Sequence, residues 1–407
     1  MNGYIERDMQ RLINNLASQY SCIMLTGPRQ VGKSTLLSYV VSNVTMVSLD
    51  DLDERKLAQN DPEMFFLLHK PPVIIDEVQY APQLFSYIKI AIDKGAAPGS
   101  FFLTGSQEYK LMHLAQESLA GRVALLELSS LSQHELYGVG ISLPFEVDVE
   151  RLNVRKAMYR PADVSEIYKR IFAGGMPGLA SGKIQNRDVF FSSYVQTYIG
   201  RDVSEEIEGI DNTQFLQFIK ACACRVGGQL NIHAIAGDVG VSDNTAKRWL
   251  GLLEKSGIVY FLYPYSNNLL KRIVKTPKMY FFDTGLVAYL TRYSSPETLM
   301  NGAISGAILE NYVINQIRKS YFNNGKECLM YYYRDKDAKE IDICLEYDGK
   351  IHPIEIKKAS NVDQSMIANF EVLKNSQVPV GTGAVVCMKQ SLSAFDKNNL
   401  IVPIWLL

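Results

Sequence analysis

Short apolar runs separated by helix-compatible stretches mark the first part of the chain: 22–26 (CIMLT), 44–49 (VTMVSL), 73–75 (VII), 101–103 (FFL) and 123–128 (VALLEL). Runs this short and uniformly apolar predict strands buried on both faces. Their alternation with helices predicts a parallel sheet covered on both sides. The pattern fades after about residue 130. Residues 161–206 read as mainly helical, broken at 174–178 (GGMPG), and residues 212–256 as three helices. From residue 258 short β runs take over (IVYFLY, KMYFFD, CLMYYYR, EIDICLEY, KIHPIEIK, AVVCM, IVPIW), interrupted by a helix near 305–319. The patterning divides the chain into an α/β unit (1–155), a helical appendage (156–209), a small helical module with a β ribbon (210–283) and an α+β unit (284–407).

Composition changes this picture little. The 407 residues are 47% apolar and 21% charged, as in globular rather than disordered chains. A net charge of −1, from 42 basic and 43 acidic residues, excludes a histone-like protein but leaves room for a local basic stripe. No apolar run approaches the roughly 18 residues of a membrane span, and the start MNGYIERDMQ lacks the apolar core of a secretory signal. The cysteines (22, 222, 224, 328, 344, 387) form no CxxC, and the five histidines form no HExxH. Reduced thiols, no zinc site, no membrane partner and a cytoplasmic location are the expectation.

The strongest chemical signal is 27–34, GPRQVGKS, which fits GxxxxGK[ST] directly after a predicted strand and before a predicted helix. Gly27 and Gly32 permit the backbone angles that turn N–H groups inward on an anion. Pro28, Arg29, Gln30 and Val31 complete the loop, and Thr35 follows it. Lys33 is placed to reach the β and γ phosphates of ATP, and the Ser34 hydroxyl to contact Mg²⁺. The run VIIDE then brings Asp76 as a second Mg²⁺ contact and Glu77 as the base for the attacking water. The run FFLTGSQ predicts a further strand ending in small polar residues. In ATPases with an acidic pair like Asp76-Glu77 such a strand sits between the other two, and its tip, Thr104 or Ser106, would sense the γ phosphate; a plain strand-to-turn is the alternative. Arg122 and Arg201 are candidates for neutralising transition-state charge, and a trans-acting arginine would require an oligomer.

Residues 232–255 predict two helices joined at Gly240, with Ser242 as N-cap and Ala246, Leu250 and Leu253 facing inward. Asn244, Lys247 and Arg248 face away, as in a DNA-reading helix-turn-helix. A ribbon carrying Lys271, Arg272, Lys275 and Lys278 would make a wing on phosphates. The competing reading is a structural winged helix that binds protein.

Further on, Glu310 lies on the apolar face of its helix with Val313, Ile314 and Ile317, where a carboxylate costs free energy unless it is paired or binds a cation. Asp342 lies on an alternating strand, opposite Ile341 and Ile343. After an Asp-Gly turn at 348–349, Glu355 and Lys357 share one face of the next strand. Helix Glu, hairpin Asp and Glu-x-Lys resemble the PD-(D/E)xK nuclease pattern. There Asp342 and Glu355, with Glu310, would hold metal against a scissile phosphate, and Lys357 would position water or stabilise developing charge. The plain alternative is an acidic hairpin with surface ion pairs.

Taken in order, GPRQVGKS, VIIDEVQ, FFLTGSQ, SLAGRVALLELSSLS, AGGMPG, YIGRDV, KTPKMYFFDTGL and EIDICLEYDGKIHPIEIKKA resemble a family of prokaryotic AAA-type P-loop ATPases with an uncharacterised C-terminal PD-(D/E)xK nuclease-like domain. The resemblance implies an AAA-like parallel-sheet core, a helical appendage, a winged-helix module and an α+β restriction-nuclease-like tail. It implies ATP and Mg²⁺ at Gly27–Ser34, Asp76 and Glu77. Ser34 stands where threonine is commoner, and Ile341 where the proline of the nuclease signature belongs. The expected function is ATP hydrolysis coupled to DNA binding or processing; the alternative is an ATP-gated protein-interaction switch on an inactive nuclease fold.

Overall fold

The computed structural model describes residues 3–105, 111, 118–138, 142–199, 211–266 and 276–407. The predicted apolar runs become strands β1 (Cys22–Thr26), β2 (Thr45–Ser48), β3 (Val73–Asp76), β4 (Phe101–Thr104) and β5 (Val123–Glu127). They form a sheet in the order β2-β3-β4-β1-β5, with every pair parallel. Alternate residues go to opposite faces. Ile23 and Leu25 enter one core cluster, Cys22 and Met24 the other, which is why the strands read as continuous apolar runs. Helices α1 (Gln10–Ala17), α2 (Lys33–Val40), α3 (Leu52–Asn60), α4 (Pro62–Leu68) and α5 (Gln83–Asp93) surround the sheet. Their starts are locally encoded: Asp51 accepts from the N–H groups of Asp53 and Glu54, and Asp61 caps α4 ahead of Pro62.

The middle of the chain is helical: α6 (Gln133–Tyr137), α7 (Val149–Met158), α8 (Val164–Ala173), α9 (Pro177–Ala180) and α10 (Arg187–Ser193). The expected boundary at residue 155 falls inside α7. The three predicted helices follow as α11 (Asn212–Ala223), α12 (Ile232–Val239) and α13 (Asp243–Lys255). Ser242 caps α13 by accepting from Thr245 N, and Ala246, Leu250 and Leu253 are buried as expected. Strands β6 (Val259–Leu262) and β7 (Lys278–Phe281) then pair antiparallel.

After α14 (Thr284–Leu290), α15 (Pro296–Met300) and α16 (Ser305–Phe322) comes a second sheet. Its strands are β8 (Met330–Arg334), β9 (Glu340–Tyr347), β10 (Lys350–Lys357), β11 (Gly383–Cys387), β12 (Ser393–Asp396) and β13 (Asn399–Pro403), in the order β12-β13-β11-β10-β9-β8. This sheet is mixed: β10–β11 and β11–β13 are parallel, the other pairs antiparallel.

The parts share one core. A single cluster runs from Ile23 and Phe102 through Trp249 and Phe281 to Ile314, Val386 and Trp405. Buried polar contacts tie the ends together. Lys319 of α16 donates to Ser130 Oγ (3.0 Å) and Leu131 O (2.9 Å), and Gln133 Nε2 donates to the carbonyls of Trp405 and Leu407. Each such bond contributes about 0.5–1.5 kcal/mol, and an orphaned buried partner costs more. Among the described residues no helix is long and apolar enough to cross a membrane.

Candidate functional site

The 27–34 loop leaves the C-terminal end of β1 and enters α2. Gly27 (φ 132°) and Gly32 (φ 93°) have positive φ. At Gly27 a Cβ would stand 2.2 Å from Leu128 O, so the loop lies directly on the chain leaving β5. Lys33 is buried, and its ammonium donates to the carbonyls of Gly27 and Pro28, both at 2.9 Å. Arg7 braces the loop from outside. It donates to Val31 O and Ser129 O, each at 2.7 Å, and pairs with Glu135 at 2.8 Å. Sequence reading missed Arg7, because its partners lie far along the chain. Thr35 is exposed on the first turn of α2.

Strand β4 lies between β1 and β3, so three strand ends converge. Ser34 Oγ donates to Asp76 Oδ1 at 2.8 Å, and Thr104 Oγ1 donates to the same oxygen. Glu77 follows in a left-handed conformation (φ 54°) that turns the chain out of β3. Gln79, buried and overlooked in the sequence, donates its amide to Glu77 Oε2 at 2.5 Å. Its proximity to Gly105, where a Cβ would lie 2.2 Å from Gln79 Oε1, links the acidic strand to the β4 tip. Ser106 and Arg201 lie outside the described residues. Arg122 precedes β5 and pairs with Asp93 at 2.7 Å. In an all-parallel sheet that places it at the end of the sheet opposite the loop.

The second candidate cluster departs from strict alternation. Tyr331 pairs with Cys344 and Tyr333 with Ile341, so two residue steps on β8 span three on β9. This bulge puts Ile341 in one core cluster with Cys344, and Ile343 in another with Leu345. Asp342 therefore sits within a bulge, and Ile341 and Ile343 do not share a face as expected; the extra residue breaks the two-residue period. Asp342 Oδ2 accepts from Ile356 N at 2.8 Å. Glu355 is 4% exposed; Lys357 donates to its Oε2 at 2.7 Å, and its Oε1 has no partner. Burial, then the charge of Asp342, pushes the Glu355 carboxyl up to about 8.

Glu310 approaches the cluster from α16 but is paired with β7. It accepts from Lys278 at 2.9 Å and from the Tyr280 hydroxyl at 2.5 Å. Among the described residues no three His, Cys, Asp or Glu side chains gather closely enough to cage an ion. Of the expected set, Glu355 and Glu310 both feel the charge of Asp342, while Glu310 is paired with Lys278 and Tyr280.

Lys278 is a second correction. Expected on an exposed wing, it is 3% exposed and bonds Glu310 and Glu340 (2.6 Å). As the first residue of β7 it points into the junction with α16 and β9, so it offers nothing to a nucleic-acid phosphate. Asn244, Lys247 and Arg248 are exposed as predicted. Lys271, Arg272 and Lys275 lie outside the described residues.

Residues 19–137 match the AAA domain family. Residues 164–297 and 305–407 match two domains of unknown function, DUF8612 and DUF4143. Relatives include the uncharacterized proteins Mb2031c of Mycobacterium bovis and Rv2008c of Mycobacterium tuberculosis. Each is 29% identical over 367 residues, covering 88% of this chain and 76% of the relative. Solved structures with some likeness include the Walker-type ATPase PABY2304 of Pyrococcus abyssi (14% identity, 70% of this chain and 96% of that one, TM-score 0.45). Another is Cdc6p of Pyrobaculum aerophilum (14% identity, 70% and 91%, TM-score 0.26). TM-scores this low carry no inference. The domain match, on a parallel sheet with this loop at its strand ends, supports an AAA-type ATPase domain over residues 19–137.

Proposed function

We propose that the chain hydrolyses ATP with Mg²⁺ and couples nucleotide state to a DNA-directed C-terminal half. The observation that carries the reading is the convergence of Ser34 and Thr104 on one oxygen of Asp76, beside Glu77 and at the mouth of the Gly27–Ser34 loop. The oxygen donors Ser34 and Asp76 suit Mg²⁺, a hard cation. When bound, the ion neutralises charge on the β and γ phosphates. The loop N–H groups and the start of α2 cradle the phosphates. Lys33 exchanges its two loop carbonyls for phosphate oxygens. Glu77 takes a proton from the attacking water as the new oxygen–phosphorus bond forms and the bond to the bridging oxygen breaks, giving ADP and phosphate. Arg122, at the opposite end of the sheet from the loop, would serve only a neighbouring copy.

The C-terminal half is read as a winged helix (α12, α13 and the β6–β7 ribbon) with a PD-(D/E)xK-like site. The buried, unpartnered Glu355 Oε1 beside Asp342 fits a cation ligand, with Lys357 next to it. DNA would meet Asn244, Lys247 and Arg248. The burial of Lys278 and the pairing of Glu310 favour the other reading, an ATP-gated protein-interaction switch on an inactive nuclease fold.

One experiment separates them. The protein is incubated with labelled linear and supercoiled DNA and Mg²⁺, with and without ATP, beside Lys33→Ala and Glu355→Ala. Phosphate release lost in Lys33→Ala is the expected result for the ATPase. Cleavage lost in Glu355→Ala establishes the nuclease, whereas ATP consumption without any cleavage transfers the assignment to the switch. Phosphate release that survives Lys33→Ala overturns the ATPase assignment.

A further inference from the structure

Resting on the nuclease-like reading of the C-terminal cluster, we infer that the Lys278 ammonium is its built-in cation. It stands against Glu310, Glu340 and Asp342 where a divalent ion would have to bind, and it excludes one. Lys278 Nζ bonds Glu310 at 2.9 Å and Glu340 at 2.6 Å, with the Tyr332 ring centre 5.5 Å away. It is 3% exposed, so these groups solvate it in place of water. The charge of Asp342 acts on Lys278 and on Glu310 alike, which puts a third acid beside the same ammonium.

The placement is built into the backbone. Lys278 and Tyr280 are two apart on β7 and share a face, and both donate to Glu310 Oε1. Asn311, the next residue of α16, clamps the register. Its side chain accepts from Phe281 N at 2.9 Å and donates to Phe281 O at 2.8 Å. On the other side of Lys278, Leu230 N donates to Pro277 O at 2.9 Å, and the Tyr332 hydroxyl donates to Thr276 O. Lys278 therefore leaves Glu310 only if the seam between β7 and α16 opens.

An ammonium and a divalent ion differ in what they do to such acids. The ammonium brings one charge and three N–H donors, and it cannot coordinate a phosphate oxygen or activate water as a metal does. It also sets the spacing. Held at 2.6–2.9 Å from nitrogen, rather than the roughly 2.0–2.1 Å of a bond to Mg²⁺, the carboxylates stand too far apart to cage an ion. Among the described residues no three acids do so. Glu355 Oε1, buried and without a partner, is the further oxygen a divalent ion would gain once the ammonium is gone. With Lys278 in place, the cluster acts as an ion-paired seam joining the β6–β7 ribbon to α16 and β9.

The test removes the internal cation and looks for an external one. Mn²⁺ binding without nucleotide is measured by calorimetry at pH 8 on the full chain. The variants are Lys278→Met, Lys278→Met/Glu310→Gln, Lys278→Met/Asp342→Asn and Glu355→Ala. Lys278→Met is expected to bind one Mn²⁺ more than the parent protein. Affinity at the cluster should rise at least about tenfold, because a unit charge has gone from within a few ångströms. The ion should raise the unfolding midpoint of Lys278→Met and leave that of the parent unmoved. Both double variants should lose it. A Lys278→Met protein that folds only with Mn²⁺ gives the same answer. Lys278→Met/Glu310→Gln carries one uncompensated acid fewer and is the folding control. If it folds while Mn²⁺ neither binds nor rescues Lys278→Met, the assignment is overturned. A parent protein that binds the ion, and loses it in Glu355→Ala, also overturns the assignment but supports the nuclease. Retention of the extra ion in Lys278→Met/Asp342→Asn instead removes the nuclease-like reading and leaves Lys278 as the counter-ion of Glu310 and Glu340.

Discussion

A Glu77→Gln protein is expected to bind Mg-ATP with unchanged affinity and to release phosphate at least about a hundredfold more slowly, the scale of a lost general base. Glutamine keeps the size and polarity of the side chain but cannot take a proton. The two acids at the end of β3 are not equivalent. Asp76 is engaged through one oxygen by Ser34 and Thr104, which suits the proposed role on the metal side of the site. Glu77 is turned out of the strand by its positive φ, with the buried Gln79 amide fixing its carboxylate. Steady-state phosphate release and equilibrium nucleotide binding, measured on the same preparation, separate the roles. A parental rate in Glu77→Gln would remove it as the base. Lost binding with a lost rate would instead mean that Glu77 supports the loop.

What could be read from the sequence follows the range of the interactions. The phosphate loop, the strand before it and the helix after it are specified within the stretch 22–40, and all stand where the pattern puts them. The placement of β4 between β1 and β3 also matches, an expectation that came from the likeness to ATPases with such an acidic pair rather than from the run itself. The cap at Ser242 is equally local and stands as read. Arg7 is different: it meets Glu135, 128 positions away, and no local pattern marks it. Gln79 looks like one polar residue in a turn until its burial against Gly105 is known. In the C-terminal half the residue types at Glu310, Asp342, Glu355 and Lys357 were legible. The bulge that reorients the strand at Asp342 was not, because inserting one residue leaves composition unchanged. Strand β12 and the 3-10 stretch Gln364–Asn375 were missed for lack of a long periodic run.

Lys278 shows why a basic segment is a weak sign of DNA contact, and its removal should have a large effect. Lys278→Ala is expected to destabilise the folded protein by about 3–5 kcal/mol at pH 8, because breaking one side of a buried ion pair strands the other charge. Glu340 keeps Arg334 at 2.5 Å, so the burden falls on Glu310, left with the Tyr280 hydroxyl. Burial, with the charge of Asp342 adding to it, already pushes the Glu310 carboxyl up to about 7 even with Lys278 opposing the shift. Without Lys278 it rises further, and Glu310 then takes a proton rather than stay charged. A carboxyl raised in the folded state binds more protons there than in the unfolded chain, so its linkage lowers stability as pH rises from about 4.5 through the folded value. The deficit of Lys278→Ala should therefore be small near pH 5 and grow towards pH 8. Adding Glu310→Gln should recover much of it. Denaturant unfolding of the parent, single and double variants at both pH values measures this. A lysine on an exposed wing would behave in the opposite way: unfolding midpoints would not move at either pH, and the loss would appear as weaker, less salt-sensitive DNA binding.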